Sequence, residues 1–576
     1  MQYVSCADVN NNKKKYTFKE AVFSGWAEDG GMIVPEIVPK VDKATLIRWG
    51  KLQYPELCFE ILSLFISDND IPRNNLKEII VEKSFKRFGN ENIVNIEKNI
   101  LNHNNNNNND SNNNKDEISD NDNNKKRGKI HIVELWHGPT LAFKDLGMQV
   151  LGQILMYFIS KNNNNNNNNS SNEETTGKIQ KTRKLNLLVG TSGDTGSSAI
   201  EAVREFKNFI DICVLYPKGR GISLLQELQM TTVGEVEDNV KVIAIEGSSD
   251  DLDVPIEALF ADLAFKEKYN LGSVNSVNIC RVLVQVVHFF YAYLKICPLA
   301  DRCDDIAFSI PTGAAGHLSA GVIACKMGLP IKHLHAATNS NDVLHRILST
   351  GSSVTTNNNN KDNLNVASSA KTTIAPSMDI VIPYNLERLL YFATSGDSKL
   401  CKAAMHTFRS TGNITLSEKV KKSFREDLFL FSSSSTDQNA IDATIKVYND
   451  SSNMKYVLDP HTACGVSSAL SDPSFHAMNE IICMACAHPS KFPKTTSSTL
   501  MSMDHIKKDE KKGNNKNIIV DENNDFWWLN KDDQAHVNIK TLLELQGGTP
   551  IAELYSLNEK HLWETKLRNH FIKRDK

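Results

Sequence analysis

Beyond residue 129, short apolar runs alternate with amphipathic segments, and no other feature limits the fold of this chain so strongly. The runs lie at 131–135, 185–189, 212–216, 240–245, 306–310, 331–336 and 456–458. Each is rich in branched residues and nearly continuous in hydrophobicity, as strands buried on both faces are. Between them, segments 146–160, 197–209 and 318–327 carry apolar residues three and four apart, which predicts helices. Strand–helix alternation of this kind implies an α/β fold with a parallel sheet covered on both sides. In open sheets of that class ligands bind beyond the carboxyl ends of the strands. The chemistry is therefore expected in the loops that follow these runs.

Residues 1–100 read differently. Helical spacing at 44–52, 56–66 and 76–88 predicts a helical module ahead of the core. Polar stretches fall at about 101–128, 161–183, 351–372 and 496–525, the first three dominated by asparagine. Such tracts have no apolar face to bury, so they are expected to loop out as disordered insertions. The organisation is then a module at 1–100, an insertion at 101–128 and a core at 129–495 with insertions near 161–183 and 351–372. A polar linker at 496–525 leads to a C-terminal tail at 526–576, with some helix and no role that the sequence suggests.

Composition narrows the function class. The 576 residues are 40% hydrophobic, with 65 Lys plus Arg against 68 Asp plus Glu and a net charge of −3. That balance argues against nucleic-acid or anionic-membrane partners, which call for a basic stripe. The most apolar segment, 278–300, carries Arg281, Gln285, His288 and Lys295 and reads as an amphipathic helix, not a membrane span. Residues 1–16 include three lysines and lack the apolar stretch of a secretory signal. Eleven cysteines are ordinary usage for reduced thiols, so a cytoplasmic setting is expected. Cys483 and Cys486 form a single CxxC with no second pair, and no metal site is expected.

Three loops after predicted strands stand out. In the first, His137-Gly-Pro-Thr-Leu-Ala-Phe-Lys144-Asp145, the lysine precedes a helix. Burial and the positive end of a helix dipole both favour a neutral amine, the form a nucleophilic lysine needs; a solvated lysine at a helix start is the other reading. The second, Gly190-Thr191-Ser192-Gly193-Asp194-Thr195-Gly196, has glycines that let backbone N–H groups approach an anion. Its spacing is neither a Walker A nor a dinucleotide fingerprint, and an ordinary capped turn is the alternative. The third, Pro311-Thr-Gly313-Ala314-Ala315-Gly316-His317, is a second candidate anion cradle. Two anion-binding loops and an activated lysine together fit pyridoxal phosphate, whose aldehyde needs an amine and whose phosphate needs a backbone nest.

These motifs resemble the threonine synthase family. The first loop looks like its pyridoxal-lysine motif and the second like its substrate-carboxylate loop. Further runs match in order: 18–31, 226–232, Asn275-Ser-Val-Asn278 and Asp459-Pro-His-Thr-Ala463. The Pro-Thr-Gly-Ala-Ala-Gly run resembles the threonine synthase-like 2 branch, where synthases proper show Ser-Gly-Asn-Phe-Gly-Asp. The resemblance implies a fold-type II pyridoxal phosphate enzyme with two α/β domains and the cofactor in the cleft. It makes Lys144 the cofactor lysine and Gly313, Ala314, Ala315 and Gly316 the phosphate cradle. Cys486, in Cys-Ala-His-Pro, stands where the family has a threonine beside the pyridine nitrogen; a buried core cysteine is the other reading.

The same resemblance gives Thr191, Ser192, Gly193, Asp194 and Thr195 the substrate carboxylate. Asp194 is expected to contribute geometry and not charge, since a carboxylate would repel the substrate. Lys218, Arg220 and Arg281 are the candidate cations for the leaving phosphate. The expected activity is that of a phospho-lyase converting O-phosphohomoserine or O-phosphothreonine to 2-oxobutanoate, ammonia and phosphate, by a monomer or homodimer. Threonine synthase is the alternative, and a non-catalytic cofactor-binding signalling protein is an alternative of another class, distinguished by its failure to release phosphate.

Overall fold

Two parallel-rich sheets carry the chain. The computed structural model describes residues 1–10, 14–89, 92–103, 128–169, 183–219, 221–301, 305–354, 370–451, 455–510 and 552–574. The larger sheet has six strands, in spatial order Leu430–Ser434, Leu334–Thr338, Ile306–Pro311, Glu480–Ala485, Gly128–Glu134 and Asn95–His103. All neighbours run parallel except the last pair. The smaller sheet is wholly parallel, in the order Glu553–Tyr555, Val240–Ile245, Ile210–Pro217, Leu185–Gly190 and Leu271–Gly272. Every residue of Ile306–Pro311 and of Ile210–Pro217 is buried, which accounts for the unbroken apolar runs in the sequence.

The helix Ile279–Ile296 sits at the centre. It is long and apolar enough to cross a membrane, yet 89% of it is buried inside the fold. Residues from Ile279 to Leu294 are all buried, because helices Tyr54–Phe65, Lys144–Asn169 and Gly316–Met327 pack around it. The amphipathic reading of this segment is thereby corrected: Arg281, Gln285 and His288 are interior polar groups, not a solvated face.

The N-terminal module is helical from Phe18–Ser24 to Glu78–Ser84, with a two-stranded antiparallel pair, Tyr3–Ser5 with Ile33–Pro35. Its helix Tyr54–Phe65 buries Tyr54, Leu57, Cys58, Phe59, Ile61, Leu62 and Phe65, the three-and-four spacing that the sequence shows. Residues 95–103, in part assigned to this module by pattern, are instead the antiparallel edge of the larger sheet.

Other differences have local causes. Segment 456–458 is not a strand: Leu458 is buried, Tyr456 donates to Glu134 Oε1 (2.7 Å), and Asp459 caps the helix Pro460–Ser471. The edge strand Leu430–Ser434 was hidden by its serines, since it is largely half-buried. The helix beginning at Lys144 runs on to Asn169, into the predicted 161–183 insertion. Helix Pro493–Glu510 likewise occupies the first half of the predicted linker. Residues 552–574 are no loose tail, because they supply a strand to the smaller sheet and bury Trp563, Leu567 and Phe571 against it. The insertions 101–128 and 351–372 fall mostly outside the described residues.

Candidate active site

The three loops singled out by sequence meet at the carboxyl ends of strands from both sheets. One cleft is lined by Lys144, by Thr191, Ser192 and Thr195, by Gly313 through His317, and by Arg281 and Cys486, with Asn275, Ser377 and His461 among the others.

The lysine loop is folded by its own polar groups. Thr140 donates through its backbone N–H to Asp145 Oδ2 (2.8 Å) and through its hydroxyl to Asp145 Oδ1 (2.7 Å). Gly138 lies so close to Asp145 that a Cβ there would meet the Asp145 side chain at 2.4–2.8 Å, hence a glycine. Phe143 N–H donates to the Cys486 carbonyl (2.8 Å), and His488 N–H donates to the Leu141 carbonyl (3.0 Å). These bonds deliver Lys144 to the first position of its helix. Its Nζ lies 3.0 Å from Asp194 Oδ2 and 4.7 Å from the Phe143 ring centre.

Asp194 behaves otherwise than the sequence suggests. Its Oδ1 accepts from Gln226 Nε2 (2.8 Å) and pairs with Lys491 Nζ (3.1 Å). Burial alone would raise this carboxyl. Lys144, Lys491 and His461 outweigh burial, with help from Gln226, and hold it well below the usual carboxylate range. Asp194 thus contributes charge, directed at Lys144. Thr191 is also committed, since its hydroxyl accepts from the N–H groups of Gly193 (3.0 Å) and Gly196 (2.9 Å) and so shapes the loop. Gly193 takes φ +133°, open to glycine, and packs on Gln226.

In the third loop Ala315 adopts φ +63° and starts the helix Gly316–Met327. Its carbonyl accepts from Ser319 N–H (3.0 Å) and Ser319 Oγ (2.9 Å), while the Ala314 carbonyl accepts from Asn385 N–H (3.1 Å). With those acceptors engaged, the loop presents a helix N-terminus to the cleft. Gly313 is fixed by close approach: a Cβ there would lie 3.0 Å from the Ser377 carbonyl and the Met378 Cα.

Burial raises the Cys486 thiol well above its ordinary value, so it stays neutral. His317 stacks on Phe143 and shares a 3.1 Å hydrogen bond with His288. Burial, then Lys144, pushes His317 down to about 3. His333 and His335, just before and within the strand Leu334–Thr338, are also held at about 3 by burial. An unfolded histidine titrates near about 6.5. Between those values the unfolded chain binds protons that the native protein refuses, so stability falls as pH drops from about 6.5 towards 3 and is level above. Each histidine accounts for at most about 1.4 kcal/mol per pH unit in that window. Asp194, whose folded value is depressed, adds a loss of the same sign below the ordinary carboxylate range. Urea midpoints that fall from pH 7 to pH 5 are expected; a flat profile contradicts the buried neutral histidines.

Five buried polar atoms in the cleft wall have no partner within the described protein: Asn275 Oδ1, Arg281 Nε, Gln285 Oε1, His317 Nδ1 and Ser377 Oγ. Such orphans are unfavourable unless a ligand or water meets them. Beside a lysine and a helix N-terminus, these donors and acceptors fit a ligand that carries an anionic group and polar atoms of both kinds, as pyridoxal phosphate does.

Comparison with known proteins agrees. Residues 2–85 match the family model described as threonine synthase N terminus. Threonine synthase-like 2 of Mus musculus is 36% identical, over 84% of this chain and 86% of its own. The chain belongs to the threonine synthase family. The crystal structure of threonine synthase from yeast superposes with a TM-score of 0.75 at 27% identity, covering 100% of this chain and 99% of that one. A pyridoxal phosphate-bound threonine synthase from Brucella melitensis gives 0.70 at 28%, covering 99% of each. The expected α/β, fold-type II architecture is borne out.

Within this threonine synthase fold the loops fall together as the motifs suggest, but of the candidate cations only Arg281 joins them among the described residues. Lys218 is exposed, its N–H tied to the Ile245 carbonyl (2.9 Å), and it does not line the cleft. Arg220 lies outside the described residues. Arg281 does line the cleft, one guanidinium nitrogen donating to the Val274 carbonyl (2.9 Å). Sequence reasoning missed Lys491 and His461. His461 was visible in the Asp-Pro-His-Thr-Ala run, and its Nε2 accepts from Ser377 N–H (3.0 Å). Lys491 had a weaker signal, a lone lysine five residues past Cys486.

Proposed function

We propose that this protein is a pyridoxal phosphate-dependent phospho-lyase that acts on O-phosphohomoserine or O-phosphothreonine. The products are 2-oxobutanoate, ammonia and phosphate. A member of this family is a pyridoxal phosphate enzyme of the lyase class acting on phosphate esters. When bound, the cofactor supplies an aldehyde for the amine and a ring that takes up the electron pair left at Cα.

The chain's own residues supply the rest. Lys144 holds the cofactor and, once displaced by the substrate amine, accepts the Cα proton on Nζ. Asp194 lies 3.0 Å from that nitrogen and orients it. Ser192 and Thr195 line the cleft on the smaller-sheet side and hold the substrate carboxylate, on a loop that Thr191 and Gly193 shape. Gly313 to Gly316 grip the cofactor phosphate through the helix N-terminus. Cys486, a neutral thiol in the cleft wall, would stand beside the cofactor nitrogen and leave it unprotonated. Arg281 is the cleft cation for the departing phosphate. A monomer or homodimer would serve equally, and a cytoplasmic setting accords with ten described cysteines that are all free.

The observation that favours lyase over synthase is the cleft wall at Ala314 and Ala315. Two methyl groups stand there where synthases proper have an amide and a ring, so neither of these two side chains can hold a water over Cβ. Placement of that water is sensitive to ångström changes. The eliminated product then leaves and takes up one water to give the 2-oxo acid and ammonia. The yeast structural likeness supports threonine synthase as the second reading. Incubation with O-phosphohomoserine decides: 2-oxobutanoate, ammonia and phosphate in equal amounts are expected, and threonine as the major product would sink the proposal.

A further inference from the structure

Lys491 is fully enclosed, with 0% of its side chain exposed. Its ammonium donates to the Thr140 carbonyl (2.7 Å) and Gln229 Oε1 (2.9 Å) and pairs with Asp194 Oδ1 (3.1 Å). Asp194 is 1% exposed and carries Lys144 on its other oxygen at 3.0 Å. One buried carboxylate therefore lies between two amines. One amine faces the cleft with 12% exposure, and the other is sealed in the wall.

The charges of this trio decide what Lys144 can do. With Lys144 protonated the trio sums to one positive charge; with Lys144 neutral it sums to zero. Without Lys491 the same states would be neutral and singly negative. A buried carboxylate left without a counter-charge is strongly disfavoured, so Asp194 alone would hold the proton on Lys144. We propose that Lys491 is a positioning residue that balances Asp194, so that Lys144 can give up its proton without stranding a buried negative charge. The proposal rests on Lys144 being the cofactor lysine.

The neighbouring titratable groups do not reverse this balance. The Cys486 thiol and His317 act on Lys144, and both are kept neutral by burial. His461 acts on Asp194 together with the Gln226 amide. Asp145 acts on Lys491 across space, its oxygens being engaged by Thr140. Whatever charge Asp145 holds, loss of the Lys491 cation favours the protonated form of Lys144. Lys491 cannot exchange roles with Lys144, because its three contacts leave it no exposure to the cleft.

The test uses the full chain freed of cofactor. Limiting acetic anhydride is applied across pH, and acetylation of Lys144 is read by peptide mass spectrometry, with circular dichroism as the check on folding. In Lys491→Met the midpoint of Lys144 acetylation should rise by about one pH unit or more, a roughly tenfold slower reaction on the acid side. Asp194→Asn should lower the midpoint, and the double variant should return it near the parent. Lys491→Gln, which keeps a donor for the Thr140 carbonyl, should show the same rise and serves if Lys491→Met does not fold. Parent midpoints in both Lys491 variants would overturn the proposal, since a structural role alone leaves that midpoint in place. Borohydride reduction of the holoenzyme is run alongside. A cofactor trapped away from Lys144 would overturn the functional reading, while the midpoints would still report the charge coupling.

Discussion

Lys144→Ala is expected to lose covalent retention of pyridoxal phosphate and about 10²- to 10⁴-fold of its turnover, the amount associated with a positioned general base. The protein should remain folded. Asp194 keeps Lys491 and Gln226 as partners when Lys144 is gone, so no buried charge is abandoned. The loop is secured independently by Thr140 with Asp145 and by the backbone bonds to the Cys486 carbonyl and from the His488 N–H. Borohydride reduction followed by peptide mapping and phosphate release from O-phosphohomoserine are the two measurements. Reduced cofactor fixed to the chain in this variant, with near-parental turnover, would remove the basis of the assignment. Lys144→Arg gives a useful contrast, because it preserves a cation for Asp194 but offers no amine for an aldehyde.

How far this was legible in the sequence depends on the range of the interactions concerned. Strands buried on both faces, such as Val240–Ile245 and Ile306–Pro311, show as local apolar runs, and the loops after them show as small-residue punctuation. The cleft could therefore be placed at the carboxyl ends of strands, as in other open α/β sheets. Contacts between distant residues left no such trace. The pairing of Lys491 with Asp194 spans nearly 300 positions, and nothing near either residue announces it. Asp194 reads differently for that reason: seen alone it is an anion beside a substrate anion, whereas in the fold it sits between two amines. Lys218 failed in the opposite direction. It sits in a suggestive Tyr-Pro-Lys-Gly run, but it is exposed one residue past its strand and does not line the cleft. Helix Ile279–Ile296 shows the limit of periodicity. Its polar residues imply a wet face, but three helices cover it and turn those residues inward.

The second large effect concerns the C-terminal segment, in which the sequence offers only alternating charge. Trp563→Ala is expected to destabilise the native protein by about 3–5 kcal/mol, as for large aromatic side chains removed from a core. Trp563 is 1% exposed and packs in a cluster with Leu252, Ile256, Leu259 and Phe260 of the helix Ser249–Ala261. Its indole donates to the Ser556 carbonyl (2.9 Å), so a hydrogen bond goes with the packing. The surrounding ion pairs, Arg568 with Asp262 (2.8 Å) and Arg574 with Asp211 (3.1 Å), are partly exposed and should contribute much less. The strand Glu553–Tyr555 pairs with Val240–Ile245, which would otherwise be the open edge of the smaller sheet. The helix that Trp563 clamps also sends Leu252 and Asp253 into the cleft wall. Loss of the indole should therefore lower the urea midpoint and, at a temperature where the variant is still folded, raise the KM for the phospho-amino acid with little change in kcat. A variant less than about 1 kcal/mol weaker than the parent would mean that the segment decorates the fold and does not complete it.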